Sequence, residues 1–523
     1  MSMLKSLHME WARFRGATGV VLTMTASVLV TVALGLLIAG GARSTCVTGE
    51  GEGPCPAPLL GPEGTAVNDK YYFVHQPLTG NGGITARVSD MTGQIRLPDA
   101  VPGVRNVTNG VLPWGKAGLL VRQSLTQGTP YAAVMITGGH GVRMQHNYIH
   151  DVPGGPVRGP KWLRLTRAGD TITGYESPDG KKWAEVGTVR LAGLPETVEI
   201  GLFATSPGNV QGMASRFAQA TAAFDQIGLQ GASGSWRRDD VGVSLEEDGR
   251  TPHHPGGAVE SGGRLLVTGG GDIGPATLDG GLRADFTLIG GAVGLLLVLV
   301  AAAVFGGAGH RQDPGPGPVA RAVVVGTAAF AAGLATAGLA VPLGLALLRA
   351  NQNPIQPITL ATELRVIVGY AALTAATAVL TLALAALVRR AVVAIVLAAA
   401  VIVVPYALAT AGLAPWLLAI TPAAGFAITQ SVPTFAHVDT DPSPLMGYYP
   451  LPPWAGLAVT CAYAALALTA ALSAHRRRTG LRGRPGDRRP DLQGRFTWTE
   501  ERGSHPHLFA GAARRWARIR RCP

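Results

Sequence analysis

The chain has 523 residues, 47% hydrophobic and only 15% charged, with a mean hydropathy of +0.25; a soluble enzyme carries about 25% charge, so a purely soluble protein is excluded. The net charge of +12 sits mostly in the tail from His475, where fourteen Arg face Asp487, Asp491, Glu500 and Glu501. Placed just after the last apolar stretch, this is the cytoplasmic flank that the positive-inside rule describes, with anionic lipid as a second use, and with no reading motif beside it nucleic acid is excluded as a partner.

Residues 4–15 put Leu4, Leu7, Trp11 and Phe14 on one helical face, with Lys5, Glu10, Arg13 and Arg15 largely elsewhere. The pattern predicts an interfacial helix over 1–15, lying in the membrane surface. Residues 16–42 contain no charge and outrun the core of a signal peptide, so they are read as a retained first transmembrane helix. Cys46 and Cys55 follow closely and are a candidate disulfide if that side is oxidising. Cys461 reads as a small packing residue in the last span and Cys522 as unpaired, and no Cys/His set calls for a metal.

The region 43–285 is polar and Gly-rich. Within 65–230, short alternating runs are separated by turn chemistry. In WLRLTRAGDTITGYESPDGKKW, residues 162–183, Trp162, Arg164 and Thr166 alternate with Leu163, Leu165 and Arg167. Ala168-Gly169-Asp170 turns the chain, Thr171–Glu176 returns, Ser177–Gly180 turns again and Trp183 opens another strand. Residues 197–206 continue the pattern and 222–229 close the sheet. Such spacing predicts an all-β sandwich.

Five more apolar stretches follow, at 286–308, 322–348, 366–388, 391–413 and 454–474, each long enough for a helix to cross about 30 Å of hydrocarbon. Gly290, Gly294, Gly326 and Gly333 offer small surfaces for close helix packing. Residues 414–432 are apolar but broken by Pro415 and Pro422, and are read as a re-entrant pair of short helices buried by protein. Arg13 and Arg15, the 310–321 segment, Arg389–Arg390 and the tail place the basic clusters on one side, with Arg349 and Arg365 as exceptions. The expected fold is a polytopic α-helical membrane protein of six transmembrane helices, the first at 16–42 and the other five over 286–474 with the re-entrant segment 414–432, both termini cytoplasmic. A jelly-roll ectodomain lies between the first and second spans, on the extracellular side of the plasma membrane. The tail 475–523 is read as disordered.

Several chemical signals are weaker than their bland readings. Gly110, Gly115 and Lys116 fit a phosphate-loop spacing but are followed by Ala117, where Mg²⁺ binding needs Ser or Thr. His140, His146 and His150 are read as sandwich or surface histidines. Glu246, Glu247 and Asp248 are read as a solvated turn rather than a hydrolase pair. Asn106 and Thr108 form a sequon. Trp162, Tyr175 and Trp183 are candidates for stacking on an ectodomain ligand, a glycan or peptide, with core packing the competing reading.

The block carrying WLRLTRAGDTITGYESPDGKKW and YAAVMITGGHGVRMQH (131–146) resembles the concanavalin A-like, laminin-G-like jelly rolls. The interfacial helix with Glu10-Trp11, the lone first span, GGGDIGP at 269–275, AVVVGTAAFAAGLATAG at 322–338 and WLLAITPAAGFAITQS at 416–431 resemble the type-2 ABC transporter permeases, in an actinobacterial form with an inserted lectin-like ectodomain. The resemblance reaches about residue 474. It implies an exporter subunit, not itself an enzyme, that pairs with a second permease copy or a related permease. A separate ATPase would bind the ATP, and this chain needs no cofactor. Contact with the ATPase would fall on the interfacial helix and the 309–321 loop, with Glu10, Trp11, Arg13, Arg311 and Arg321 as the residues. Where the family carries a charged segment after the second span, this chain has GHRQDPGPGPVAR. The alternative is a membrane-anchored lectin-like binding or sensor protein. An ectodomain hydrolase is the third reading.

Overall fold

The computed structural model describes residues 3–48, 51–101, 104–211, 214–232, 234–245, 251–254, 256–277, 280–308, 318–440 and 442–482. Arg311, Glu246–Asp248, Cys522 and most of the tail lie outside them. The chain divides into two units, Met1–His475 and Arg476–Pro523. Of the second, the described residues are helical. All that follows concerns the first.

Helix α1 (Met3–Gly16) precedes α2 (Thr18–Gly41). The chain then builds every described strand before α3 (Gly291–Ala308), α4 (Pro318–Ala350), α5 (Leu360–Val388), α6 (Ala391–Thr410), the short α7 (Leu417–Ile420) and α8 (Pro453–Arg482). Five of these helices, α2, α4, α5, α6 and α8, are long and apolar enough to cross a membrane, and α3 is a shorter apolar helix. The protein is thus a membrane-spanning chain with a β-domain. The stretch read as a second span beginning at 286 starts instead as a 3₁₀ turn, Ala284–Leu288, and becomes α-helical at Gly291.

Small residues let these helices approach. A Cβ on Gly290 of the turn into α3 would lie 2.9 Å from the Thr31 carbonyl oxygen of α2, and one on Gly333 of α4 would lie 2.8 Å from the Ala371 Cα of α5. Side chains at either place would push the backbones apart.

The β-domain is two facing antiparallel sheets. The first runs His150–Pro153, Val142–His146, Tyr131–Thr137, Lys116–Arg122, Thr197–Thr205, Tyr71–Thr79 and Arg237–Val241. The second runs Ala184–Arg190, Thr171–Ser177, Lys161–Ala168, Gly82–Arg96, Ala218–Gln230, Arg264–Gly270 and Gly257–Ser261, with Val107–Asn109 beside Gly82–Arg96. Between them Val74, Ile84, Leu119, Val134, Leu163, Leu165, Leu202 and Phe224 fill one apolar core. The expected alternation at 162–167 holds: Leu163 and Leu165 face inward, Trp162 and Arg164 outward. The sheets continue past residue 230, to Gly270.

The first sheet is buried on its other face as well, where Tyr71, Phe73, Leu120, Tyr131, Met135 and Phe203 of its own strands form a layer with Val67, Tyr148 and Ile273. Lys116–Arg122 and Tyr131–Thr137 are therefore buried along their whole length. A strand wet on one face alternates in polarity, and a strand buried on both faces does not. Inside this layer Asp69 and Arg122 form a fully buried ion pair, Nη2 to Oδ2 at 3.0 Å. Tyr148 and the Gly128 amide donate to the same carboxylate at 2.8 and 2.9 Å. Buried charge is tolerated when it is paired and hydrogen-bonded in this way.

The α4–α5 connection clasps the neck where the β-domain joins the helices. Asn353 donates to the Ala42 carbonyl at 2.9 Å and Asn351 to the Gly40 carbonyl at 2.9 Å. Gln356 donates to the Thr277 carbonyl at 2.9 Å, so one segment holds both the chain leaving α2 and the chain returning. Cys46 and Cys55 are disulfide-bonded across the hairpin after α2, with Cα atoms 4.8 Å apart.

Candidate functional site

Three places in the structure hold chemistry that could act. The first is the foot of the bundle. Helix α1 buries Glu10 and Phe14, with Leu7 half-buried, against the other helices, while Leu4 and Trp11 are exposed. The predicted stripe of Leu4, Leu7, Trp11 and Phe14 is therefore split: the buried face is turned so that Glu10 lies inside it. The reason is Arg321 at the start of α4. Its Nε donates to Glu10 Oε1 at 3.0 Å, and Arg13 Nη1 reaches the same oxygen at 3.3 Å. Glu10 is 1% exposed, Arg321 14% and Arg13 46%. Of the residues proposed to touch a partner, Glu10 and Arg321 are turned inward as a latch. Trp11 and Arg13 remain on the surface, and Arg311 lies outside the described residues. Phe14 completes the seam with an edge-on contact to Phe305 of α3 at 5.6 Å.

The second place is the junction between bundle and β-domain. Pro415 and Pro422 break the chain after α6 into α7 and a 3₁₀ segment, Pro422–Thr429, which is buried throughout. Such irregular backbone needs protein partners for its carbonyls. Arg365 of α5 supplies them, donating to Ile428 O at 3.2 Å and Gln430 O at 2.6 Å. The following loop rises to the β-domain. His437 Nε2 lies 2.9 Å from the Tyr148 carbonyl oxygen, and Trp114 Nε1 donates to Asp439 at 3.2 Å. Trp114 stacks on His140 at 4.0 Å and meets His437 edge-on at 6.3 Å. Burial holds the His437 imidazole below its usual range, favouring the neutral ring.

Beside this contact lies a cavity of about 710 Å³, lined among others by Asn68, Lys70, Trp114, Arg216, Asp272 and Asp439. Lys116, of the phosphate-loop look-alike, is buried next to it. Its ammonium is taken up by Asp272 at 2.8 Å and the Ile273 carbonyl at 2.6 Å. Sequence reasoning did not single out His437, Asp439, Trp114 or the cavity. The available signal was a polar PTFAHVDTDPSP stretch wedged between two apolar ones.

The third place is the outer face of the second sheet. Arg164 pairs across the strands with Tyr175, and its guanidinium lies 3.9 Å from the centre of the Trp183 ring. Trp162 is covered by the turn at Gly180, where a Cβ would come within 2.8 Å of the indole; with φ at +71°, that turn favours glycine. Trp162, Tyr175 and Trp183 are therefore half-buried on one face, and two of the three rings are already engaged by the chain itself.

His146 and His150 stack at 4.5 Å, and His150 lies 2.6 Å from Glu63. His140 is apart from them, against Trp114. Among the described residues no group of three His, Cys, Asp or Glu side chains could hold a metal ion. Cys461 is exposed on α8 rather than packed inside.

No family model matches the chain, and no curated protein matches it. Solved structures are similar to part of it. A functionally unknown protein from Saccharomyces cerevisiae is 16% identical over 31% of this chain and 76% of that one, with a TM-score of 0.20. The GH43 BlXynB protein from Bacillus licheniformis is 15% identical over 29% of this chain and 27% of that one, with a TM-score of 0.19.

Proposed function

We propose that the chain is the membrane-spanning permease subunit of an ATP-driven exporter of the type-2 ABC class, working with a separate cytoplasmic ATPase and a second permease. The β-domain faces outward in this reading, and both termini face the cytoplasm. One observation carries it: α1 is an amphipathic helix fixed to the bundle through buried Glu10 and Arg321, yet it leaves Trp11 and Arg13 exposed at the surface. A rigidly seated helix with an exposed aromatic and an exposed cation is suited to receive a push from a partner and pass it to α4. The buried 3₁₀ segment and the loop through His437 then give motion of the bundle a route to the β-domain. The test is a photo-crosslinking amino acid at position 11 in native membranes. Capture of a cytoplasmic protein with nucleotide-binding motifs supports the reading, and capture of lipid alone counts against it.

A second reading, a membrane-anchored lectin-like binding or sensor protein for a glycan or peptide, is favoured by the Trp162, Arg164, Tyr175 and Trp183 set on the outer sheet face. Full cellular function after deletion of 286–474 would make it the better account.

A further inference from the structure

The cavity at the junction supports a binding assignment independent of the transport reading. Its volume, about 710 Å³, falls within the roughly 300–1,000 Å³ of sites that enclose small organic ligands. Its acids are already committed: Asp272 to Lys116 and Asp439 to the Trp114 indole. Its two cations are not. The side chains of Lys70 and Arg216 make no hydrogen bond or ion pair with another described residue, and Arg216 acts on Asp99 only through its field. Two uncommitted cations in one cavity match a doubly charged group better than a single carboxylate, and guanidinium and ammonium together are the usual partners of phosphate oxygens. The Asn68 amide adds a neutral polar group, and Leu112, Pro113 and Val210 supply an apolar wall.

We propose that this cavity binds a phosphoryl-bearing organic ligand, with Lys70 and Arg216 as the anion-binding groups. The phosphoryl group belongs either to a soluble phosphate monoester or to the phosphomonoester headgroup of a lipid. One wall, His437 to Thr440, comes from the chain leading into α8, and the others come from the β-domain. An occupied cavity therefore clamps the two together.

The experiment uses the purified full chain in detergent and in vesicles. Glucose 1-phosphate is titrated by calorimetry, glucuronate serves as the singly charged control, and thermal melting is followed in phosphatidic acid vesicles, whose headgroup is a phosphomonoester, against phosphatidylglycerol vesicles, whose phosphodiester carries one charge. Binding of glucose 1-phosphate over glucuronate, about tenfold weaker in Lys70→Gln and in Arg216→Gln measured singly, supports the proposal with a soluble ligand. A melting increase in phosphatidic acid alone, lost in the same variants, supports it with a lipid source. Lys70→Arg keeps the charge and should keep binding, which separates loss of the site from loss of the fold. No response to any probe, or a response unchanged in both Gln variants, overturns it.

Discussion

Arg321 and Glu10, 311 residues apart in the chain, meet at 3.0 Å and fix α1 to α4. Removing one partner leaves the other charge buried or forces it into water, at a cost of about 3 kcal/mol. Glu10→Ala is expected to loosen α1, read as faster maleimide labelling of a cysteine placed at Leu7. Arg321→Ala should do the same. The double variant should be less affected than the sum of the two, since neither lone charge remains. Strict additivity would show that the two do not interact.

The contact between His437 and the Tyr148 carbonyl predicts a coupled loss. His437→Ala removes this bond and the edge contact to Trp114, with an expected destabilisation of roughly 1–2 kcal/mol. It should raise amide exchange both in the 435–440 loop and around residue 148. Exchange that rises in the loop alone would mean that the β-domain does not depend on this mooring.

Arg365 predicts a role that its position outside the basic clusters hides. Arg365→Met keeps the apolar stem but leaves the Ile428 and Gln430 carbonyls without their donor, at an expected cost of about 1–3 kcal/mol. Protease susceptibility after residue 420 should increase in reconstituted vesicles. An unchanged digestion pattern would show that the 3₁₀ segment holds itself.

His146 predicts acid sensitivity of the β-domain. Burial and the neighbouring His150 push its imidazole down to about 4. The unfolded ring takes up a proton near pH 6.5 and the folded one only near pH 4 (both about). The stabilisation is thus complete above the unfolded value and is lost as pH falls through that window. His146→Phe, which retains a stacking ring on His150, should flatten the decline in melting temperature between about pH 6.5 and 4. Parallel curves for the two proteins would refute this.

Hydrophobic length and turn chemistry made the helices, the break at Pro415 and Pro422, and the hairpin at 162–177 legible, because these depend on local composition. The disulfide was legible from spacing together with the expected compartment. What sequence could not reveal was long-range pairing. Glu10 reads as part of a polar helix face because its partner lies in α4. Lys116 reads as part of a phosphate loop because Asp272 is far along the chain. Trp114 and His437 come from the β-domain and the loop before α8, and no local pattern brings them together. The later α-helical start of the second span, at Gly291 after a 3₁₀ turn, falls among apolar residues, and a hydropathy window averages over it.

The most direct measurement is affinity purification of the full chain from its own membranes in mild detergent, followed by ATP turnover of what is recovered. The account predicts a co-purifying ATPase of near-equal amount whose turnover falls when Trp11 is replaced by Ala while the complex still forms. Recovery of the chain without any ATPase, under conditions that keep its membrane fold intact, would contradict the transport reading.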